Sequence, residues 1–324
     1  MSGSGPLPPG REGTAAGWAG LLPVDKPAGV SSHDVVALAR RRLGLKAIGH
    51  LGTLDPGATG LLVLVVGAAT RCAVVWQGGE KTYAGTARFG VVTDSQDTTG
   101  RVLATSDARP SEAAVRAAAE SLTGDLAQVP PMVSALKLRG ERLYAIARRG
   151  ETVEREARPV RVAAWRWLAF TRDEARFEVD CSGGTYVRTL VHDLGERLGC
   201  GAALAALERR RSEPFTLARA CGWRDLESLP ADDLLARWGV PLDRALETLP
   251  AVRLELAQAE AMGLGQSPRV EPGAVPVGQG ARSVVFRAAD GRALALGELV
   301  REGDGVHARP AVVFPWAVRS RGGA

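Results

Sequence analysis

A single aspartate stands in GHLGTLDPGATG, residues 49–60, among four glycines and one proline. Pro56 biases the backbone of Asp55 toward an extended conformation, and Gly52, Gly57 and Gly60 let another chain come close, so the loop can present a carboxylate to a bulky ligand. It is neither of the phosphate-cradling patterns G-x-x-x-x-G-K-[ST] and G-x-G-x-x-G, and a carboxylate would repel phosphate. No second carboxylate or histidine lies at metal-ligand spacing, and no partner for paired-acid glycoside chemistry is evident nearby in the sequence. Isomerisation of a nucleoside needs only one carboxylate: the base leaves its sugar, rotates and rejoins through carbon, while a nucleophilic aspartate holds the intermediate. The plain alternative is a turn residue, a common role for aspartate among glycine and proline.

The elements that must carry this loop are legible on either side of it. LLVLVV, residues 61–66, is an apolar run suited to a strand buried on both faces. Upstream, residues 20–24 predict a strand. HDVVALARRRLG predicts a helix capped by Ser31 or Ser32, with Val35, Leu38, Ala39 and Arg42 on one face and Gly44 past its end. Downstream, KTYAGTARFG (81–90) alternates as a strand, DSQDTTG reads as a turn before the short strand RVLA, and residues 111–123 predict a helix with Gly124 as its C-terminal cap. RFEVDCS (176–182) predicts a strand that turns through GG into a helix, TYVRTLVHDLGERLG, placing Tyr186 and Arg188 at the corner. Residues 226–250 read as a helical connector. Beyond 251 the chain is β-rich, with a hairpin at Asp290-Gly291 and a further strand in VHARPAVVFPW.

Length and 45% hydrophobic content support one large domain plus a smaller one. Only four of the 41 basic residues are lysines, so the net charge of +5 is carried by arginine, which grips phosphates and stacks on bases. Cys72, Cys181, Cys200 and Cys221 form no C-x-x-C pair and read as reduced thiols in a cytosolic protein. Residues 1–17 have no apolar signal core and read as a disordered leader, and no run approaches the ~18 apolar residues of a membrane span.

GHLGTLDPGATG closely resembles the catalytic segment of the TruB-type bacterial tRNA pseudouridine-55 synthases. LLPVDKPAGVSSHDVV (21–36), KTYAGTARFG (81–90) and CSGGTYVRTLVHDLGERLGCGAAL (181–204) match the same family in the same order, and VPPMVSALKLRGERLYAIARRG and REARPV also fit. The ordered set spans roughly residues 18–220 and is far more specific than any one block.

The resemblance implies an α+β fold: a mixed, largely antiparallel central sheet in a catalytic domain over 18–250, a small C-terminal β-barrel of the PUA type over 251–318, and a tail over 319–324. It implies that Asp55 attacks the target uridine, at the uracil ring or the sugar anomeric carbon, that Tyr83 stacks on the base and takes the proton from its carbon 5, and that Arg188 pairs with Asp55. Leu207 and Tyr186 would line the pocket, and His50 would fill the space left when the target nucleotide is extruded. Tyr83 could instead be core, Arg188 a surface ion pair and His50 a structural loop residue. The implied partner is tRNA, gripped at the T-arm by the catalytic domain and on the acceptor-stem side by the barrel, with Arg209, Arg210, Arg211, Arg148 and Arg149 as candidate phosphate contacts. The implied protein is a cytoplasmic monomer needing no metal, organic cofactor, membrane or obligate protein partner. One alternative is a non-catalytic tRNA-binding or tRNA-folding protein on the same scaffold. Another is a related synthase working on guide-selected RNA in a multi-protein complex.

Overall fold

The computed structural model of the chain describes residues 15, 17–134, 137–138, 141–142, 146, 149, 151, 153–273, 275, 277 and 283–317. The expected leader and the 319–324 tail therefore lie almost wholly outside the described residues, as does Arg148.

In chain order the elements are β1 (Gly20–Lys26), α1 (Ser32–Leu43), β2 (Ile48–His50), β3 (Thr59–Val66), α2 (Val74–Gln77), β4 (Lys81–Phe89), β5 (Val91–Thr93), β6 (Val102–Thr105), α3 (Glu112–Glu120) and β7 (Gly124–Gln128). Next come β8 (Lys137–Leu138), β9 (Glu141–Arg142), β10 (Arg158–Phe170), β11 (Glu174–Cys181), α4 (Val187–Arg197), β12 (Ala202–Ser212) and β13 (Phe215–Thr216). The short helices α5 (Trp223–Ser228) and α6 (Ala231–Trp238) precede β14 (Val240–Pro241) and α7 (Leu242–Ala245). The chain closes with β15 (Ala251–Arg253), α8 (Leu256–Gly263), β16 (Val284–Arg287), β17 (Ala293–Glu302) and β18 (Gly305–Val313).

Ten strands form one sheet along the path β14-β1-β3-β12-β4-β11-β10-β7, with β2 added to β3 and β13 to β12. Every pairing in it is antiparallel except the joint between β3 and β12, where Glu208 faces Thr59 and Arg209 faces Gly60. Gly60 has no alternative there: its φ is +94°, and a Cβ would lie 2.5 Å from the Arg209 carbonyl oxygen. β3 is buried along almost its whole length, as its unbroken apolar run requires.

α1 begins at a reciprocal cap in which Ser31 and Asp34 satisfy each other's backbone, and it ends at Gly44 in the left-handed region. α3 stops at Glu120, earlier than its periodicity predicts, because Gly124 (φ +93°) starts β7 instead of capping the helix. β12 is the larger surprise. Its residues, AALAALERRRS, are helix formers by composition, yet they lie as a strand between β4 and β3 because both neighbours offer unsatisfied ladders.

Among the described residues the C-terminal strands make the sheet β15-β16-β17-β18, and the outer side of β18 is bridged by residues 268–270, with Arg269 opposite His307. Among the described residues no pairing joins β15 to β18, so the sheet is not closed into the barrel expected from the sequence. The hairpin between β16 and β17 does turn at Asp290-Gly291, with Gly291 at φ +88°. Leu242, Leu246, Trp76 and Cys72 share one buried cluster with Val285, Leu296 and Phe314, so the small sheet packs on the large one through a common apolar seam.

Candidate active site

Asp55 lies between β2 and β3 on a loop tied at several points. The buried Ser32 hydroxyl accepts from the Leu54 N–H and donates to the Leu54 carbonyl, both at 2.9 Å. The Gly29 N–H donates to the Pro56 carbonyl at 2.8 Å, and the Lys26 ammonium, wholly buried, donates to the carbonyls of Pro27, Val30 and Pro56. Burial pushes the Lys26 ammonium down to about 8, with the Asp55 charge opposing the fall. The loop is thus anchored by α1 and by the turn after β1, and the Asp55 side chain remains 44% exposed.

Arg188, in the first turn of α4, reaches Asp55 side-on: Nε lies 3.0 Å from Oδ2 and Nη2 donates to Oδ1 at 3.4 Å. Nη2 also donates to the Val133 carbonyl at 2.8 Å, and Nη1 donates to the Ser95 carbonyl at 2.9 Å and to Asp97 Oδ2 at 3.5 Å. Four N–H···O bonds and the close Nε–Oδ2 ion pair therefore surround the guanidinium, which fixes both its plane and its direction. At 5% side-chain exposure Arg188 is no surface ion pair.

Burial raises the Asp55 carboxyl above its ordinary value. Arg188 pulls it back down, Asp97 adds to the rise, and Lys26 opposes it. Tyr83 on β4 is 7% exposed and pairs across the sheet with Val179 and Arg209. Burial pushes its phenol up, the adjacent Arg209 guanidinium opposes, and the Asp55 charge adds to the rise. Tyr186, the residue before α4, has its hydroxyl raised by burial and also senses Asp55. The structure thus gathers Asp55, Arg188, Tyr83 and Tyr186. His50 ends β2 opposite Leu64 at the start of the same loop. Leu207 sits half-buried on β12 opposite Gly85, and its carbonyl accepts from Thr59 Oγ1 at 3.4 Å.

Two features escaped the sequence. Asp97 supplies the second carboxylate that seemed missing near Asp55: 42 positions away in the chain, it shares Arg188 with it. Its Oδ1 accepts from Ser95 Oγ, Thr99 N and Thr99 Oγ1 at 2.9, 2.9 and 2.6 Å. The clustered Asp, Ser and Thr of DSQDTTG were its signal, read only as a turn. Arg209 is 1% exposed, donating to the carbonyls of Leu61 (2.7 Å) and Gly52 (3.0 Å), so it is no phosphate contact but a buried brace beside Tyr83. Of its neighbours, Arg210 is bound to Glu178 and Glu208 and Arg211 to Glu213. Among the described residues no cluster of three or more His, Cys, Asp or Glu is placed to hold a metal ion.

Residues 40–187 match the family model described as TruB family pseudouridylate synthase, N-terminal domain, and residues 188–247 match that of the tRNA pseudouridylate synthase B C-terminal domain. The tRNA pseudouridine synthase B of Opitutus terrae is 49% identical over 219 residues, 67% of this chain and 91% of that one. That of Aromatoleum aromaticum is 43% identical over 279 residues, 86% of this chain and 88% of that one. A chain in the crystal structure of a Cbf5-Nop10-Gar1 complex superposes with a TM-score of 0.68 at 24% identity, covering 91% of this chain and 85% of that one, which establishes a shared fold.

Proposed function

This chain belongs to the TruB family of pseudouridylate synthases, and from that premise we propose that it isomerises uridine 55 in the T-loop of tRNA to pseudouridine, with Asp55 as the nucleophile. The observation that carries the assignment is the side-on fit of a buried Arg188, held by four hydrogen bonds, to a carboxylate that remains open to solvent. The arginine holds the charge and direction of Asp55, and one carboxylate edge remains free for the substrate.

In the reaction the N1–C1′ bond of the uridine breaks, C5 bonds to C1′, C5 loses its proton and N1 gains one, with no net redox change. Asp55 holds the intermediate by attacking either the ring or C1′. Tyr83 stacks beneath the base, and as the phenolate, whose charge the positive field of Arg209 favours against the opposing burial, its oxygen takes the C5 proton. Tyr186 and Leu207 line the pocket, and His50 fills the space that the extruded nucleotide leaves. Two domains, 18–250 and 251–318, divide the substrate: the first takes the T-arm, and the second, a PUA-like module, takes the acceptor-stem side. The protein acts as a monomer in the cytoplasm.

The test uses tRNA carrying tritium on C5 of its uridines, with the purified protein in EDTA and Asp55→Asn alongside. Release of tritium by the wild type alone, with tRNA affinity retained in the variant, is the expected result. Tight binding without release by the wild type would make the chain a tRNA-binding protein on a synthase scaffold.

A further inference from the structure

Gln128, the last residue of β7, is 4% exposed. Its Oε1 accepts from the Tyr186 N–H at 2.8 Å, and its Nε2 donates to the Tyr186 carbonyl at 3.2 Å. Both polar atoms of this buried amide are therefore directed at the backbone of one residue, 58 positions along the chain. Tyr186 is the N-terminal boundary of α4, with φ −94° and ψ 105° and no side-chain cap of its own. The helix thus depends on an outside partner for the angle at which it starts. Arg188 stands two residues further on. Beyond Gln128 the same segment delivers the Val133 carbonyl to Arg188 Nη2.

We propose that Gln128 is a positioning residue for the reaction: by fixing the Tyr186 peptide it sets the direction in which Arg188 leaves α4, and with it the side-on fit to Asp55. This rests on the reading of Asp55 and Arg188 as the reacting pair. Glutamine suits the task because an amide offers one acceptor and one donor side by side, matching a peptide's N–H and carbonyl. A glutamate would set a carboxylate oxygen against the Tyr186 carbonyl, and a methionine would fill the space while offering neither bond.

Arg188, Lys26 and Asp97 are the charged groups that bear on Asp55, and among them Arg188 does most to keep its carboxyl ionised. If the arginine shifts, Asp55 takes up a proton at a higher pH, so turnover fails earlier on the acid side. A loss of stability alone would lower the amount of active enzyme without moving that midpoint.

The experiment measures tritium release by the full chain from about pH 4 to 8 for the wild type, Gln128→Met, Gln128→Glu and the milder Gln128→Asn, which keeps the amide on a shorter stem. Expected for Gln128→Met are a fall in kcat of about tenfold or more, a KM for tRNA within about twofold, and an acid limb displaced to higher pH. Gln128→Asn should fall between it and the wild type. An unmoved acid limb in every variant that folds, with kcat falling only as Tm falls, would overturn the proposal. The midpoint is read from whatever fraction folds. If only Gln128→Asn folds, its limb decides. A wild type that releases no tritium would instead sink the reading of Asp55 and Arg188, leaving the wild-type control to separate the two failures.

Discussion

At the scale of single residues the site is governed by how Arg188 uses its fork. A lysine in its place keeps the charge but has three donors for these partners and no planar edge to lay against Asp55. Arg188→Lys should therefore lower kcat by about 100-fold or more with tRNA affinity within a few-fold, as single-turnover rates and filter binding would measure. It would also leave the Ser95 or Val133 carbonyl without its donor. The wild type has its own pH signature. The proposed reaction needs Asp55 ionised, and burial holds its carboxyl above the ordinary carboxylate value. The rate is therefore full at neutral pH and is lost as the pH falls through that raised value. An acid midpoint at or below 3.8, the unperturbed value, would contradict this environment.

At the scale of elements the glycine at the β3–β12 joint is the least replaceable backbone position in the site's support. Gly60→Ala would place a methyl against the Arg209 backbone at a φ that side chains rarely adopt. It should cost about 2 kcal/mol or more, a Tm lower by roughly 5 °C, measurable by thermal melting. An unchanged Tm would show that the joint can yield. Local signals were strong elsewhere: the apolar run of β3, the caps of α1 and the Asp290-Gly291 turn each announce their element because neighbours in sequence decide it. β12 was hidden because its residues prefer another state, and only pairing with distant β4 and β3 makes it a strand. The site shows the same division. Asp55, Tyr83 and Arg188 stood out through motif resemblance, whereas Asp97 and Gln128 matter only by what the fold brings beside them. The burial of Arg209 likewise follows from its register opposite Tyr83 and not from the run of three arginines that contains it.

At the scale of the whole molecule two sheets share one apolar seam. Phe314 is fully buried in it, stacked on Trp316 at 5.1 Å, while the Trp316 indole N–H donates to the Ala293 carbonyl at 2.7 Å. Phe314→Ala should cost about 3–5 kcal/mol, read as a lower denaturant midpoint, and should expose the apolar side of α7 and α2 to a hydrophobic dye. A midpoint close to wild type would mean the seam contributes little. The parallel joint has a different significance. It carries two residue pairs, the Thr59–Leu207 bond and the Arg209 brace, and it divides the proposed reactive set: Asp55 comes from one side, and Tyr83, Asp97 and Arg188 from the other. On the proposed chemistry neither side carries the whole reactive set. Opening this joint would part Asp55 from Tyr83 and Arg188, so on that chemistry competence belongs to the joint as much as to any side chain.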